Sequence, residues 1–119
     1  MIKVYLAGGM KSGWQDRVIS KSAIFYDPRS SGLNNPDDYT KWELDHVHDC
    51  DIVFAYLEKD NPSSIGMSVE IGYAKALSKT IILVREKSHY RFDILESCAD
   101  KTFTILQDGI KELSDFVND

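Results

Sequence analysis

The sequence has few of the features that mark secreted or membrane-spanning proteins. It contains only two cysteines, Cys50 and Cys98, which are too few for a disulfide scaffold. No apolar run approaches the roughly 20 residues that a membrane-spanning helix needs. Met1 and Ile2 lead straight into a predicted strand, so no signal peptide is expected. We therefore expect a soluble, cytoplasmic protein with reduced thiols.

Positive charge and metal-ligand spacing are also scarce. The net charge of −5 argues against non-specific binding to nucleic acid polymers or anionic membranes. It leaves room for a small anionic ligand, which a few N–H groups and cations can hold. His46, His48 and Cys50 alternate along a predicted helix, where residues two apart point about 200° from each other and cannot share an ion. We predict no metal site and no cofactor.

The composition is that of a globular α/β protein. With 119 residues, 43% hydrophobic and 28% charged, the chain is expected to form a single domain over residues 1–119. Apolar segments predict five strands, at Ile2–Ala7, Ile24–Tyr26, Ile52–Leu57, Thr80–Val84 and Thr102–Leu106. Helices are predicted at Trp14–Ala23, after an N-cap at Asp37 or Asp38, over about 12 residues after the Asn61–Gly66 loop, at Tyr90–Ala99 and at Gly109–Val117. This alternation predicts a doubly wound parallel sheet covered on both faces.

A glutamate interrupts the apolar stripe of the helix that follows the third strand. At about 100° per residue, Met67, Ile71, Ala74 and Leu77 share one face, and Glu70 falls inside it. Burying a carboxylate is costly unless a partner satisfies it or it performs chemistry. Two interpretations follow: a capping glutamate satisfied by loop N–H groups near the helix N-terminus, or an active-site carboxylate.

Several loops are expected to meet at one edge of the predicted sheet. Ligands of such sheets lie beyond the carboxyl ends of the strands. Glycines between a strand and a helix let backbone N–H groups close on a ligand, although a plain tight turn explains Gly8 and Gly9 equally well. Because Glu70 opens onto this edge, the active-site interpretation gains support. The loops concerned contain Gly8–Gly9, Asp27–Arg29, Ser63–Ser64 and Arg85–His89.

Three segments resemble the nucleoside 2-deoxyribosyltransferase superfamily, which includes a branch of deoxynucleoside 5′-monophosphate N-glycosidases. They are Val4–Met10 with the following Ser12–Asp16, Asp51–Ala55, and Ser64–Ala74. The resemblance implies a flavodoxin-like (Rossmann-like) sheet and a homodimer or larger homo-oligomer. It also implies an enzyme that cleaves the N-glycosidic bond of a nucleoside or its 5′-monophosphate and transfers the sugar to water or another base.

The resemblance also implies residue roles. Glu70 matches the glutamate that attacks the anomeric carbon, and Tyr5 matches the tyrosine that orients it. The family's second acid is usually an aspartate eight residues before Asp51, where this chain has Glu43. Glu43 is therefore the predicted general acid. The predicted substrate-binding residues are Gly8, Gly9, Met10, Ser64, Gly66 and Asp93.

Two of these residues disagree about the 5′ end of the substrate. Ser64 stands where the monophosphate glycosidases carry a serine and the nucleoside transferases an aspartate. Asp93 is nearest to the family's polar residue that reaches the partner subunit's sugar, and an aspartate suits a 5′-hydroxyl better than a phosphate. The sequence does not decide the 5′ group, the base or whether the sugar is ribose or 2′-deoxyribose. It also leaves open whether the enzyme is a hydrolase or a transferase.

Two other functions are compatible with the predicted fold. A non-catalytic nucleotide-binding or sensing module would keep the pocket without turnover, and the glutamate at position 43 favours it. The Tyr5–Glu70 pair favours the enzyme, because binding alone needs no carboxylate facing the anomeric carbon. A flavin-binding protein of the same architecture is the third alternative.

Overall fold

The computed structural model describes residues 1–61 and 64–118. Within them, five parallel strands form one sheet in the order β2-β1-β3-β4-β5, which confirms the predicted fold class. The strands are β1 (Ile2–Gly8), β2 (Ala23–Tyr26), β3 (Ile52–Leu57), β4 (Thr80–Arg85) and β5 (Lys101–Phe103). The helices are α1 (Pro36–Asp49), α2 (Ile65–Ala76), α3 (Asp93–Cys98) and α4 (Leu106–Val117), with 3₁₀ turns at Trp14–Arg17, Pro28–Ser31 and Tyr90–Phe92.

The core consists of two apolar clusters, one on each face of the sheet. Every residue of β3 is buried, as expected for a central parallel strand covered on both sides. Val53, Ala55 and Leu57 pack in the cluster that includes side chains of α1, α2 and α3. Ile52, Phe54 and Tyr56 pack in the opposite cluster, with Trp14 and residues of α4. The two-residue period of β3 thus divides its side chains between the two layers.

The predicted helix over Trp14–Ala23 is wrong. Only the 3₁₀ turn Trp14–Arg17 forms, and Val18 already has an extended backbone. Trp14 and Gln15 both donate side-chain hydrogen bonds to the carbonyl of Gly9, which ties the turn to the loop after β1. The following Val-Ile-Ser sequence has weak helix propensity, so nothing extends the turn.

The start of α1 also differs from its prediction. The N-cap is Asn35, whose Oδ1 accepts a hydrogen bond from the backbone N–H of Asp37 at 2.9 Å. Pro36 occupies the first helical position, where its missing N–H costs nothing. Asp37 and Asp38 therefore lie in the first turn of the helix, where their negative charges interact favourably with the helix dipole.

The C-terminal quarter is divided differently from the prediction. The helix predicted over Tyr90–Ala99 is a 3₁₀ turn followed by the short α3. β5 spans three residues, and Leu106, predicted as its last residue, is the first residue of α4. Leu106 is buried in the cluster on the α4 side of the sheet. As the first residue of the helix it is therefore as well buried as a strand residue would be.

Gly109 allows α4 to pack closely on the sheet. A Cβ at this position would overlap Cγ2 of Val84 and lie 3.4 Å from Cζ of Phe54. We expect Gly109→Ala to lower the free energy of unfolding by about 1–3 kcal/mol because neither rigid neighbour can move away cheaply. Urea denaturation measures this change.

The matched control is Gly72→Ala in α2. A Cβ at Gly72 meets no atom within 4 Å. Since alanine is the better helix former, this variant is expected to gain about 0.5–1 kcal/mol. Equal effects of the two substitutions would contradict the packing argument for Gly109.

Candidate active site

A cavity of about 540 Å³ lies beyond the carboxyl ends of β1 and β3, next to the N-terminus of α2. We call it the active-site cavity. Seven of the predicted site residues line it: Gly8, Gly9, Met10, Glu43, Ser64, Gly66 and Glu70. Pro28, from the Asp27–Arg29 loop that was also predicted at this edge, lines it too. Further lining residues were not singled out from the sequence as site residues: Lys11, Ser12, Glu58, Asp60, Asn61, Ile65 and Met67.

Glu70 is buried, with 5% of its surface exposed, as its place in the apolar stripe of α2 predicts. The hydroxyl of Tyr5, a fully buried residue of β1, donates a hydrogen bond to Oε2 of Glu70. Burial raises the pKa of Tyr5, and the charge of Glu70 raises it further, so the phenol keeps its proton. Tyr5 and Glu43 are therefore partners of the Glu70 carboxyl group, as the active-site interpretation requires.

Glu43 completes a pair of carboxyl groups. It lies half-buried on α1, and its carboxyl group interacts with that of Glu70. Burial raises the pKa of Glu70 from 4.5 to about 8; the Tyr5 hydrogen bond opposes this rise and Glu43 adds to it. Burial also raises the pKa of Glu43, while the hydrogen bond with Glu70 opposes that rise. Because the pKa of Glu70 is about 8, a proton stays on this buried pair at neutral pH.

Hydrogen bonds from two buried side chains hold the loop after β1 in place. The Gly9 carbonyl accepts hydrogen bonds from Trp14 Nε1 at 2.8 Å and from Gln15 Nε2 at 2.9 Å, and both side chains are buried. Gly8 has a φ of 153°, and a Cβ there would lie 2.7 Å from the Tyr56 carbonyl oxygen. A larger residue would overlap this oxygen. Glycine therefore permits the tight turn that brings the loop over the cavity.

The N-terminus of α2 opens onto the cavity through Ser64. Ser64 is buried and has a left-handed backbone with φ 60°, which is uncommon for a residue other than glycine. Its N–H donates to Asn61 Oδ1 at 3.2 Å, and its carbonyl accepts from the Ser68 hydroxyl at 2.9 Å. Ser63, also predicted at this edge, lies outside the described residues.

Asp93 does not join these residues within one chain. It lines a second cavity, beyond the ends of β4 and β5, and pairs with Arg85 at 2.8 Å. Arg85 also pairs with Glu96 and donates to the carbonyls of Lys87 and His89. The Arg85–His89 loop lies at the predicted carboxyl edge of the sheet, but its residues Arg85, Lys87 and Ser88 line the second cavity and not the active-site cavity. Arg85 instead organises the second cavity.

The histidine-rich part of α1 contributes to packing. The His46 ring stacks on Trp42 with centroids 3.7 Å apart, and its Nδ1 lies 2.6 Å from the Trp42 carbonyl oxygen. Across residues 1–61 and 64–118, no group of three or more His, Cys, Asp or Glu side chains is placed to hold a metal ion. In the same ranges, no helix has the length and apolar character needed to span a membrane.

The raised pKa of Glu70 predicts how stability depends on pH. Between pH 4.5 and about 8 the folded state binds a proton that the unfolded state has lost, so the free energy of unfolding falls as pH rises through this window. In Glu70→Gln the side chain keeps its shape and an oxygen that accepts from Tyr5, but it no longer titrates. We expect it to be more stable than the wild type by about 1–3 kcal/mol at pH 8 and nearly equal to it at pH 5.

Denaturant unfolding at several pH values measures this difference. Glu96→Gln is the control, because Glu96 is exposed on α3 and lines only the second cavity. It should follow the wild-type pH dependence. Parallel pH profiles for the wild type and Glu70→Gln would show that Glu70 does not carry the buried proton.

Sequence comparison places the chain in a known family. The family model described as "Nucleoside 2-deoxyribosyltransferase like" matches residues 1–88, which include the Gly8 loop, Glu43 and Glu70. Among curated proteins, none matches the chain in sequence.

Solved structures share the fold. The CMP N-glycosidase BcmB of Clostridium botulinum superposes with a TM-score of 0.67 at 24% identity, covering 94% of this chain and 98% of that one. A 2-deoxyribosyltransferase of Bacillus psychrosaccharolyticus gives a TM-score of 0.72 at 20% identity, covering 89% and 88%. A Leishmania mexicana 2-deoxyribosyltransferase gives 0.61 at 17% identity, covering 79% and 71%. With the family model matching most of its length, the chain belongs to the nucleoside 2-deoxyribosyltransferase-like family.

Proposed function

We propose that this protein is an enzyme that cleaves the N-glycosidic bond of a nucleoside or its 5′-monophosphate, with Glu70 as nucleophile. The observation that carries the proposal is the buried Tyr5–Glu70–Glu43 arrangement in the active-site cavity. The similar structures support the reaction class, since they comprise a CMP N-glycosidase and 2-deoxyribosyltransferases. The sugar passes to water or to another base.

The pair of carboxyl groups supplies the one proton that this reaction needs. Ionised Glu70 attacks C1′ of the sugar, and a bond from a Glu70 oxygen to C1′ forms as the C1′–N bond breaks. The electron pair of the broken bond goes to the base nitrogen, which takes the proton from Glu43. Water or an acceptor base then attacks C1′, gives its proton to Glu43 and releases Glu70 as a carboxylate. The single shared proton moves to Glu43 before the first step.

Tyr5 supports the ionised form of Glu70. Its hydroxyl donates to Oε2, and the other carboxylate oxygen bonds to the sugar once the proton has moved to Glu43. Because this hydrogen bond lowers the pKa of Glu70 against the effect of burial, it increases the fraction of the enzyme that carries a nucleophile at neutral pH.

The remaining site residues are assigned to binding. Gly8, Gly9 and Met10 cover the sugar and base, and Ser64 and Gly66 contact the substrate at the N-terminus of α2. A homodimer in the cytoplasm, with Asp93 reaching the partner's site, completes the proposal. Apolar side chains exposed on the outer side of α2 and around α3 support such an interface: Val69, Tyr90 and Ile94, which are 53%, 78% and 69% exposed.

Base release tests the proposal. Nucleosides and their 5′-monophosphates are incubated with and without an acceptor base, and free base is measured by chromatography. We expect Glu70→Ala to reduce turnover at least about 10³-fold, because the nucleophile is lost. Glu96→Gln should keep wild-type turnover. Unchanged turnover in Glu70→Ala would refute the proposal, and nucleotide binding without any turnover would favour the sensing module.

Glu43→Gln tests the general acid separately. Its loss should slow release of an ordinary base about 10²–10⁴-fold, the usual contribution of general acid catalysis. A 7-methylpurine nucleoside carries a positively charged base that leaves without protonation, so its hydrolysis should be nearly insensitive to the substitution. Equal losses with both substrates, measured as kcat, would show that Glu43 does not protonate the base.

A further inference from the structure

The segment that joins β3 to α2 controls the charge of the active-site cavity. Glu58, Lys59 and Asp60 are consecutive, but they line different cavities. Glu58 and Asp60 line the active-site cavity, whereas Lys59 lines the second one. The segment therefore contributes two acidic residues and no basic residue to the lining of the active-site cavity.

Hydrogen bonds hold this arrangement in place. The Ser12 hydroxyl donates to Oε1 of Glu58, which connects Glu58 to the loop after β1. Oε2 of Glu58 lies 3.5 Å from the position that a Cβ of Gly9 would occupy. On the other side, the backbone N–H of Lys59 donates to Oε1 of Glu86 at 3.0 Å. The Glu58 carboxylate thus lies beside the loop that covers the sugar and base.

Positive charge at this end of the sheet does not balance the two acids. Of the described lining residues, Lys11 is the one with a basic side chain. Arg85 pairs with Asp93 and Glu96 in the second cavity, and Lys87 donates to the Asn61 carbonyl. The N-terminus of α2 contributes roughly half a positive charge. The cavity is therefore negative even before Glu70 ionises for attack.

We propose that Glu58 and Asp60 are specificity-determining residues that select a substrate with a neutral 5′-hydroxyl and disfavour the 5′-monophosphate. This inference rests on the proposed function and narrows its substrate class. A phosphate dianion would enter a cavity of its own charge sign, and low-dielectric walls weaken the screening of that repulsion. The Ser64 hydroxyl can donate to a sugar hydroxyl as well as to a phosphate, so it is compatible with the neutral substrate.

The experiment compares each 2′-deoxynucleoside with its own 5′-monophosphate. At low ionic strength we expect kcat/KM to favour the nucleoside about tenfold or more, and the preference to shrink as salt is added. In the double variant Glu58→Gln, Asp60→Asn, the ratio should move about tenfold or more toward the monophosphate. Glu58→Asp, which keeps the charge, and Glu96→Gln, which removes one from the second cavity, should leave the ratio unchanged.

Two results would overturn the inference: a monophosphate preferred by the wild type at low salt, or a ratio that the double variant does not change. Base release from neither class would instead be a failure of the proposed function. In that event, calorimetric dissociation constants for the same nucleosides and monophosphates test the charge argument directly. Tighter binding of the nucleoside supports the inference, and equal or tighter binding of the monophosphate refutes it.

Discussion

The hydrogen bond between Tyr5 and Glu70 is the interaction on which the site depends. It joins β1 to α2 across 65 residues of sequence and lies inside the apolar cluster that holds α2 on the sheet. A buried carboxyl group in such a place is costly unless a donor satisfies it. Tyr5 supplies the donor, and Glu43 on α1 supplies the second contact. Two of the elements that pack against α2, β1 and α1, thus supply the two partners of Glu70.

This arrangement exchanges stability for chemistry. An amide side chain at position 70 would keep an acceptor for Tyr5 without the cost of burying a charge, which holds the Glu70 pKa far above its ordinary value. The raised pKa keeps a proton available near neutral pH, which a pair of solvent-exposed carboxylates would have lost. Enzymes commonly give up stability at functional sites, and under the proposed function the residue concerned is Glu70.

The carboxyl edge of the sheet carries two cavities, and Glu86 stands between them. Its Oε2 accepts from the Tyr56 hydroxyl at 2.6 Å, and its Oε1 accepts from the Lys59 N–H. These contacts tie the segment after β3 to the end of β4. The two cavities therefore differ in charge. Glu58 and Asp60 line the first, whereas in the second the charge of Arg85 is paired with that of Asp93.

Much of the fold could be predicted because its signals are local. β3 has the predicted boundaries, and the burial of Glu70 follows from the period of α2. Predictions failed where side chains bond to distant backbone. The Trp14 segment has helical spacing, yet its Trp and Gln side chains are held by the Gly9 carbonyl and the helix does not form. The apolar character of Leu106 is compatible with a strand or a helix. In the structure it belongs to α4 and packs in the same cluster as Leu113 and Val117 of that helix.

The sequence by itself determined the layer order of the molecule and the burial of a carboxylate in α2, because hydrophobic periodicity is a property of neighbouring residues. The family resemblance identified Tyr5 and Glu43 as candidate partners. Only the tertiary structure decided that Glu70 contacts both groups, that Asp93 and Arg85 line a second cavity, and that Glu58 and Asp60 line the active-site cavity while Lys59 lines the other. Side-chain direction in a loop follows from contacts with distant elements, here Ser12 and Glu86, which no local pattern encodes.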